Sequence, residues 1–236
     1  VRTERGRAEV PEQGHRRRPR SFRLTTGAAA VLVAVLLVGA FVVQPYSIPS
    51  SSMAPTLKVG DRVLVNKLAY RFGDRPERGD VVVFDGRGSF LPSGTGSGAL
   101  SGLLRRFGSA LGLSDPADTE YVKRVIGVGG DRVRCCDQRG RLVVNGEPLT
   151  ETYLHQGDAP SAVRFDIRVP EGRLWVMGDH RSASRDSRDH LGLPGGGTVP
   201  LDRVIGRADW IAWPHDRWTT LSAGTQRAAR EAGPHG

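Results

Sequence analysis

Lysine is nearly absent from this chain. Of its 34 basic residues, all but Lys58, Lys67 and Lys123 are arginine. Arginine stays protonated under all ordinary conditions, whereas a buried lysine can lose its proton, so a surviving lysine marks a position where deprotonation can matter. Cysteine is scarcer still. The 2 cysteines, Cys135 and Cys136, are neighbours, so they build no disulfide framework, and no CxxC or HExxH spacing offers a metal site. They form a strained ring, bridge to another molecule or remain as two thiols, and the sequence leaves the three open. No GxSxG elbow is present, which weakens a Ser-His-Asp reading, and His180 and His190 read as loop residues. With 31 glycines and 15 prolines among 236 residues, turns are frequent and long helices few.

The net charge of +9 is unevenly spread. Residues 1–23 carry eight arginines against Glu4, Glu9 and Glu12, and residues 24–43 carry no charge at all. Half of the excess therefore sits in a short tail rather than on a folded surface, and no nucleic-acid partner is expected. The uncharged stretch from Leu24 to Val43 is twenty residues long, which as a helix spans about 30 Å, the thickness of a bilayer core. Arg16, Arg17, Arg18, Arg20 and Arg23 precede it. The positive-inside rule makes 1–23 a basic cytoplasmic tail and puts everything after the span outside the plasma membrane. A cleavable signal peptide is the competing reading, with Val38-Gly39-Ala40 as its cleavage site; an uncleaved single-pass anchor is favoured because that site falls inside the apolar run.

No second run of that length follows, so residues 44–218 form one extracytoplasmic domain and 219–236 a mobile tail. Short apolar segments bounded by turn residues predict a mainly β, antiparallel body. They are Arg62–Val65, Val81–Phe84, Arg132–Cys136, Leu142–Val144, Phe165–Val169, Leu174–Met177 and Val204–Trp213. Asn145-Gly146 predicts a tight hairpin turn. Residues 85–118 interrupt the pattern with a Gly/Ser-rich loop, followed by leucines at helical spacing. This insertion packs on the β body or lies on the lipid surface.

Three clusters carry chemistry. Ser50-Ser51-Ser52-Met53-Ala54-Pro55-Thr56-Leu57 begins a few residues past the span, within about 30 Å of its end even when fully extended. In Tyr121-Val122-Lys123-Arg124-Val125-Ile126-Gly127, strand alternation sends Lys123 and Arg124 to opposite faces, so that one can be solvated or paired while the other is buried. Burial lowers a lysine pKa from about 10.4 by several units, and a neutral lysine can then take a proton from a serine hydroxyl. The third cluster, Gly178 to Arg188, contains two Asp-x-Arg units, Asp179/Arg181 and Asp186/Arg188; by itself it reads as a charged surface turn.

Taken in order, SxSMxPTL after an apolar anchor, RGDVVVF at 78–84, YVKRVIGVGGD at 121–131, GDHRSASRDSR at 178–188 and VIGRA at 204–208 resemble the boxes of bacterial type I signal peptidases from Gln44 to about Trp213. The resemblance implies two antiparallel β domains, with exposed apolar surface near the membrane, to which Trp210 and Trp213 contribute if they are not core residues. The smaller accessory β subdomain is here reduced to the hairpins of 132–175. It makes Ser52 the nucleophile and Lys123 its general base. Ser50 and the Ser52 backbone N–H form the oxyanion hole, and Ser184 orients the lysine. Arg124, Asp179, Arg181, Asp186 and Arg188 brace the site. Ile48, Pro49, Met53, Leu57, Tyr121 and Val122 line substrate pockets. His180, Ser182 and Ala183 depart from the usual GDNRDNSxDSR form, so local hydrogen bonding differs. The activity implied is removal of signal peptides from secreted preproteins at Ala-x-Ala-like sites. The expected partners are those peptides and the lipid bilayer, with no metal and no cofactor. A tethered β domain that binds peptides without cutting them is the rival from another class.

Overall fold

In a computed structural model of the chain, the residues that can be described are 27, 31–35, 42–91 and 119–221. The chain divides into two units, Val1–Val35 and Leu36–Gly236. In the first, Gly27 and Val31–Val35 are helical. Among the described residues no helix is long and apolar enough to cross a membrane; most of the expected span, like 92–118 of the expected insertion and nearly all of the tail, lies outside them.

The second unit is built from two antiparallel sheets. The larger has the order β1-β2-β11-β3-β4-β9-β10, with β12 paired to β11. Its members are β1 (Val43–Ser47), β2 (Arg62–Asn66), β3 (Val81–Asp85), β4 (Glu120–Val128), β9 (Arg173–Met177), β10 (Val199–Pro200), β11 (Val204–Trp213) and β12 (Thr219–Thr220). The smaller runs β7-β6-β5-β8, from β5 (Arg132–Cys135), β6 (Leu142–Val144), β7 (Glu147–Pro148) and β8 (Phe165–Arg168). It sits between β4 and β9, which pair directly with each other. The inserted sheet therefore ends at Arg168, and Arg173–Met177, placed at the sequence level partly within the accessory hairpins, belongs to the larger sheet.

The apolar patterning explains the layers. Val81 and Val83 pack into one cluster, with Val63, Val65, Met53, Leu57 and Ile211, while Val82 and Phe84 pack into another, with Val125, Val176 and Val199. A strand covered on both faces reads as a continuous apolar run, as β3 does. A third cluster joins the two sheets: Ile126, Trp175 and Met177 from β4 and β9 meet Val133, Leu142, Val144 and Phe165. The β6–β7 hairpin closes through Asn145 and Gly146, with φ of 53° and 91°, the left-handed pair that a type I′ turn requires. Cys135 and Cys136 are joined to each other in a disulfide ring.

Phe90 is buried against Phe84, Tyr121 and His190, so the described start of the 85–118 insertion packs on the β body. Trp210 and Trp213 are half exposed and Trp218 is exposed, all near the β11–β12 edge. Trp175, fully buried between the sheets, tests the third cluster. Trp175→Ala is expected to destabilise the domain by about 3–5 kcal/mol, measured by equilibrium denaturation.

Candidate active site

Ser52 lies in the turn that connects β1 to β2. Met53 and Leu57 point into the core, 1% and 0% exposed, and Leu57 N–H donates to the Met53 carbonyl at 2.8 Å. These two anchors fix the turn and leave Ser50 and Ser51 exposed. Ser52 itself is buried. Ser50 Oγ lies 3.2 Å from Ser52 Oγ, and the Ser52 backbone N–H makes no hydrogen bond among the described residues.

Lys123 comes from the middle of β4, paired across to Val82. It is 4% exposed, and its Nζ donates to Ser52 Oγ at 2.8 Å. Burial is the main reason its pKa falls to about 8, opposed by the charges of Asp186 and Asp179 and assisted by Arg188. Arg124, its neighbour, is buried as well, so neither side chain is solvated; they diverge in partner instead. Arg124 grips Asp179 through Nε–Oδ1 at 2.8 Å and Nη2–Oδ2 at 2.7 Å, donates to the Gly79 carbonyl at 2.8 Å and lies over the Tyr153 ring at 4.1 Å. Thr56, from the serine turn, donates to the same Asp179 carboxylate.

In the loop from 178 to 188, Asp179, Arg181, Asp186 and Arg188 are buried while Ser182, Ala183 and Arg185 are exposed, and the two Asp-x-Arg units are not both pairs. Asp186 and Arg188 do pair, through two contacts of 2.8 Å. Burial works to raise the Asp186 carboxyl, but the hydrogen bonds and charge of Arg188 override it and hold its pKa below the usual value. Arg181 instead reaches Glu151, at the head of the link between β7 and β8, and both side chains are 2% exposed. Sequence reasoning missed Glu151, because the partnership exists only once the second sheet has packed. Gly178 follows β9 at a crowded point. A Cβ there would collide with Ser184 Oγ and the Ser52 carbonyl, so only glycine lets the two segments meet.

The remaining expected residues divide. Among the described residues Ser184 Oγ is buried and makes no hydrogen bond to Lys123; its Oγ sits against Gly178 instead. Ile48, Met53 and Leu57 are core residues that underlie the surface rather than open onto it. Pro49 is exposed, and Tyr121 and Val122 are half-buried. His180 Nδ1 contacts the Ser51 carbonyl at 3.2 Å and His190 Nδ1 the Asp186 carbonyl at 2.7 Å. Neither ring bonds to Ser52 Oγ, so Lys123 is the base the geometry offers.

The family model for signal peptidase, peptidase S26, matches residues 21–213. Signal peptidase I of Mycobacterium tuberculosis (strain CDC 1551 / Oshkosh) is 41% identical over 238 aligned positions, covering 90% of this chain and 78% of that relative. Signal peptidase IB of Staphylococcus aureus (strain Mu50) is 33% identical over 202, covering 79% and 86%. A crystal structure of a signal peptidase I from Enterococcus faecalis V583 is 23% identical, covers 57% of this chain and 97% of its own, and superposes with a TM-score of 0.36.

Two measurements test the electrostatics. Lys123 has a folded pKa of about 8 against about 10.4 when unfolded. Below pH 8 the folded state therefore carries the whole penalty of a buried ammonium, about 3 kcal/mol, which is relieved as pH rises toward 10.4. Lys123→Met should raise the melting temperature at pH 7 and lose most of that advantage by pH 10. Arg188→Gln leaves Asp186 unpaired beside the amine, and should move the Lys123 titration upward by about one unit, read from the pH dependence of activity.

Proposed function

Because the chain belongs to the signal peptidase, peptidase S26 family, and is therefore a serine endopeptidase that removes signal peptides from preproteins, we propose that it does so with Ser52 as nucleophile and neutral Lys123 as general base. The 2.8 Å contact between a buried lysine and that serine carries the reading. When Lys123 is protonated it donates to Ser52 Oγ. Once neutral, its lone pair accepts the hydroxyl proton as Oγ attacks the scissile carbonyl. The carbonyl oxygen becomes an oxyanion, stabilised by the free Ser52 N–H and by Ser50 Oγ. One such donor is worth about 10²- to 10³-fold in rate. Lys123 then gives its proton to the leaving amine, and in the second half takes one from the water that attacks the acyl-enzyme.

The substrate strand meets the site at Pro49, Tyr121 and Val122, over a floor of Ile48, Met53 and Leu57. Close packing there favours small side chains at the first and third positions before the cut. Leu24–Val43 anchors the chain in the plasma membrane, with residues 1–23 in the cytoplasm and the two sheets outside. The charge asymmetry around that segment supports this orientation. Half-exposed Trp210 and Trp213 are suited to the bilayer interface, where indole rings favour the headgroup level.

The test is cleavage of a preprotein with an Ala-x-Ala site by the purified full chain in detergent. Ser52→Ala and Lys123→Arg should each abolish cleavage while leaving the fold intact, and wild-type activity should rise with pH to a half-maximum near 8. Equal activity with Lys123→Arg would remove the lysine from the mechanism. No cleavage by the wild type under conditions where a signal peptidase works would favour peptide binding without catalysis.

A further inference from the structure

His155 and Asp158 stand at the two ends of a tight turn in the link between β7 and β8. Asp158 N–H donates to the His155 carbonyl at 3.0 Å, and Gly157 supplies the left-handed φ of 88°. His180 approaches from the loop after β9, at a position where the usual family box carries Asn. The three residues offer donor atoms that all lie within 4.8 Å of one another, and the two imidazoles are stacked with centroids 3.9 Å apart.

Each side of this cluster is oriented from outside. His180 Nδ1 lies 3.2 Å from the Ser51 carbonyl. A carbonyl can only accept, so Nδ1 carries the proton and Nε2 keeps its lone pair. Asp158 accepts from the Ser182 hydroxyl at 2.7 Å and the Ser182 N–H at 3.1 Å. The His155 backbone is pinned by its N–H to the Asp179 carbonyl at 3.1 Å. A ring nitrogen bonded to a carbonyl, with the other left to coordinate, is the arrangement that metal-ligating histidines show.

We propose that His155, Asp158 and His180 bind one divalent transition-metal ion of the zinc class. Two imidazoles and a carboxylate suit such an ion and leave a fourth position for water, whereas calcium and magnesium favour all-oxygen shells. Binding draws the donors from the 4.8 Å envelope to about 3.4 Å apart, set by Zn–N and Zn–O lengths near 2.0 Å. The rings fan out of their stack to do so, which half-buried side chains permit. The site departs from the metal-free expectation because His155-x-x-Asp158 matches no metal spacing, and only the fold brings His180 to it.

The ion has a structural consequence. The His180 backbone N–H donates to the Ser52 carbonyl at 3.1 Å, and its ring holds the Ser51 carbonyl. A metal on His180 therefore ties the β7–β8 link to the turn that carries the proposed nucleophile, and stabilises the folded form by mass action.

The experiment is zinc titration by calorimetry, with thermal melts, of the full chain purified in detergent without a polyhistidine tag. Wild type should bind one Zn²⁺ per chain, and its melting temperature should rise by about 5 °C or more at a hundredfold excess over Kd. Calcium and magnesium should leave it unmoved. His155→Ala, Asp158→Asn and His180→Asn should each weaken zinc binding at least tenfold. His155→Ala and Asp158→Asn should keep metal-free preprotein cleavage, which shows that the fold and the Ser–Lys pair survive. Absence of zinc binding by the wild type, or unchanged affinity in His155→Ala and Asp158→Asn, would overturn the proposal.

Discussion

An amine can act as a base beside a serine only if nearby carboxylates do not hold its proton in place. Asp179 and Asp186 both lie close enough to Lys123 to favour its charged form, and each is already engaged by a guanidinium, Arg124 and Arg188. The carboxylates are neutralised locally, and the low polarity around the lysine then prevails. Buried ion pairs are poor sources of stability relative to apolar packing. These earn their place through electrostatics: they fix the loop from 178 to 188 against β4 while subtracting its negative charge from the lysine. The arginine habit of the sequence fits this use, since a guanidinium keeps its charge in a buried pair and can hold a carboxylate with two bonds at once.

The two sheets were legible in the sequence where a strand announces itself by its own residues. Val81–Phe84, Leu142–Val144 and Leu174–Met177 are apolar runs between turn residues, and the structure forms strands there. Strands that depend on a neighbour were not legible. β1 contains Gln44 and Pro45 and is a strand because β2 pairs with it from Asn66 to Arg62; β10 and β12, two residues each, exist only at the edges of longer partners.

The site divides in the same way. The Ser52–Lys123 contact joins residues far apart in the chain, and only the ordered boxes of a family resemblance brought them together before the fold did. Within a box, spacing misled: Asp179 and Arg181 look like a pair, yet each turns to a residue outside its own box, Arg124 and Glu151. Burial was equally hidden in the linear order. Met53 and Leu57, which follow the serines and were expected to line substrate pockets, are among the most enclosed residues of the structure. Ser184 has the neighbourhood that the resemblance implies without the hydrogen bond.

The insertion of the smaller sheet between β4 and β9 also sets an order of assembly. Ser52 and Lys123 are 71 residues apart in the chain, and Arg124 is separated from Asp179 by 55. The intervening segment must fold back on itself before β9 can pair with β4, a long loop closure of the kind that slows β-rich folding. A chain emerging from the ribosome thus holds its serine and lysine well before it holds the carboxylates and guanidiniums that tune them. Ser52 and Lys123 reach their final setting later still, after the loop that follows β9 has arrived and β11 has joined β2 to β3, and an unfinished chain lacks that electrostatic environment.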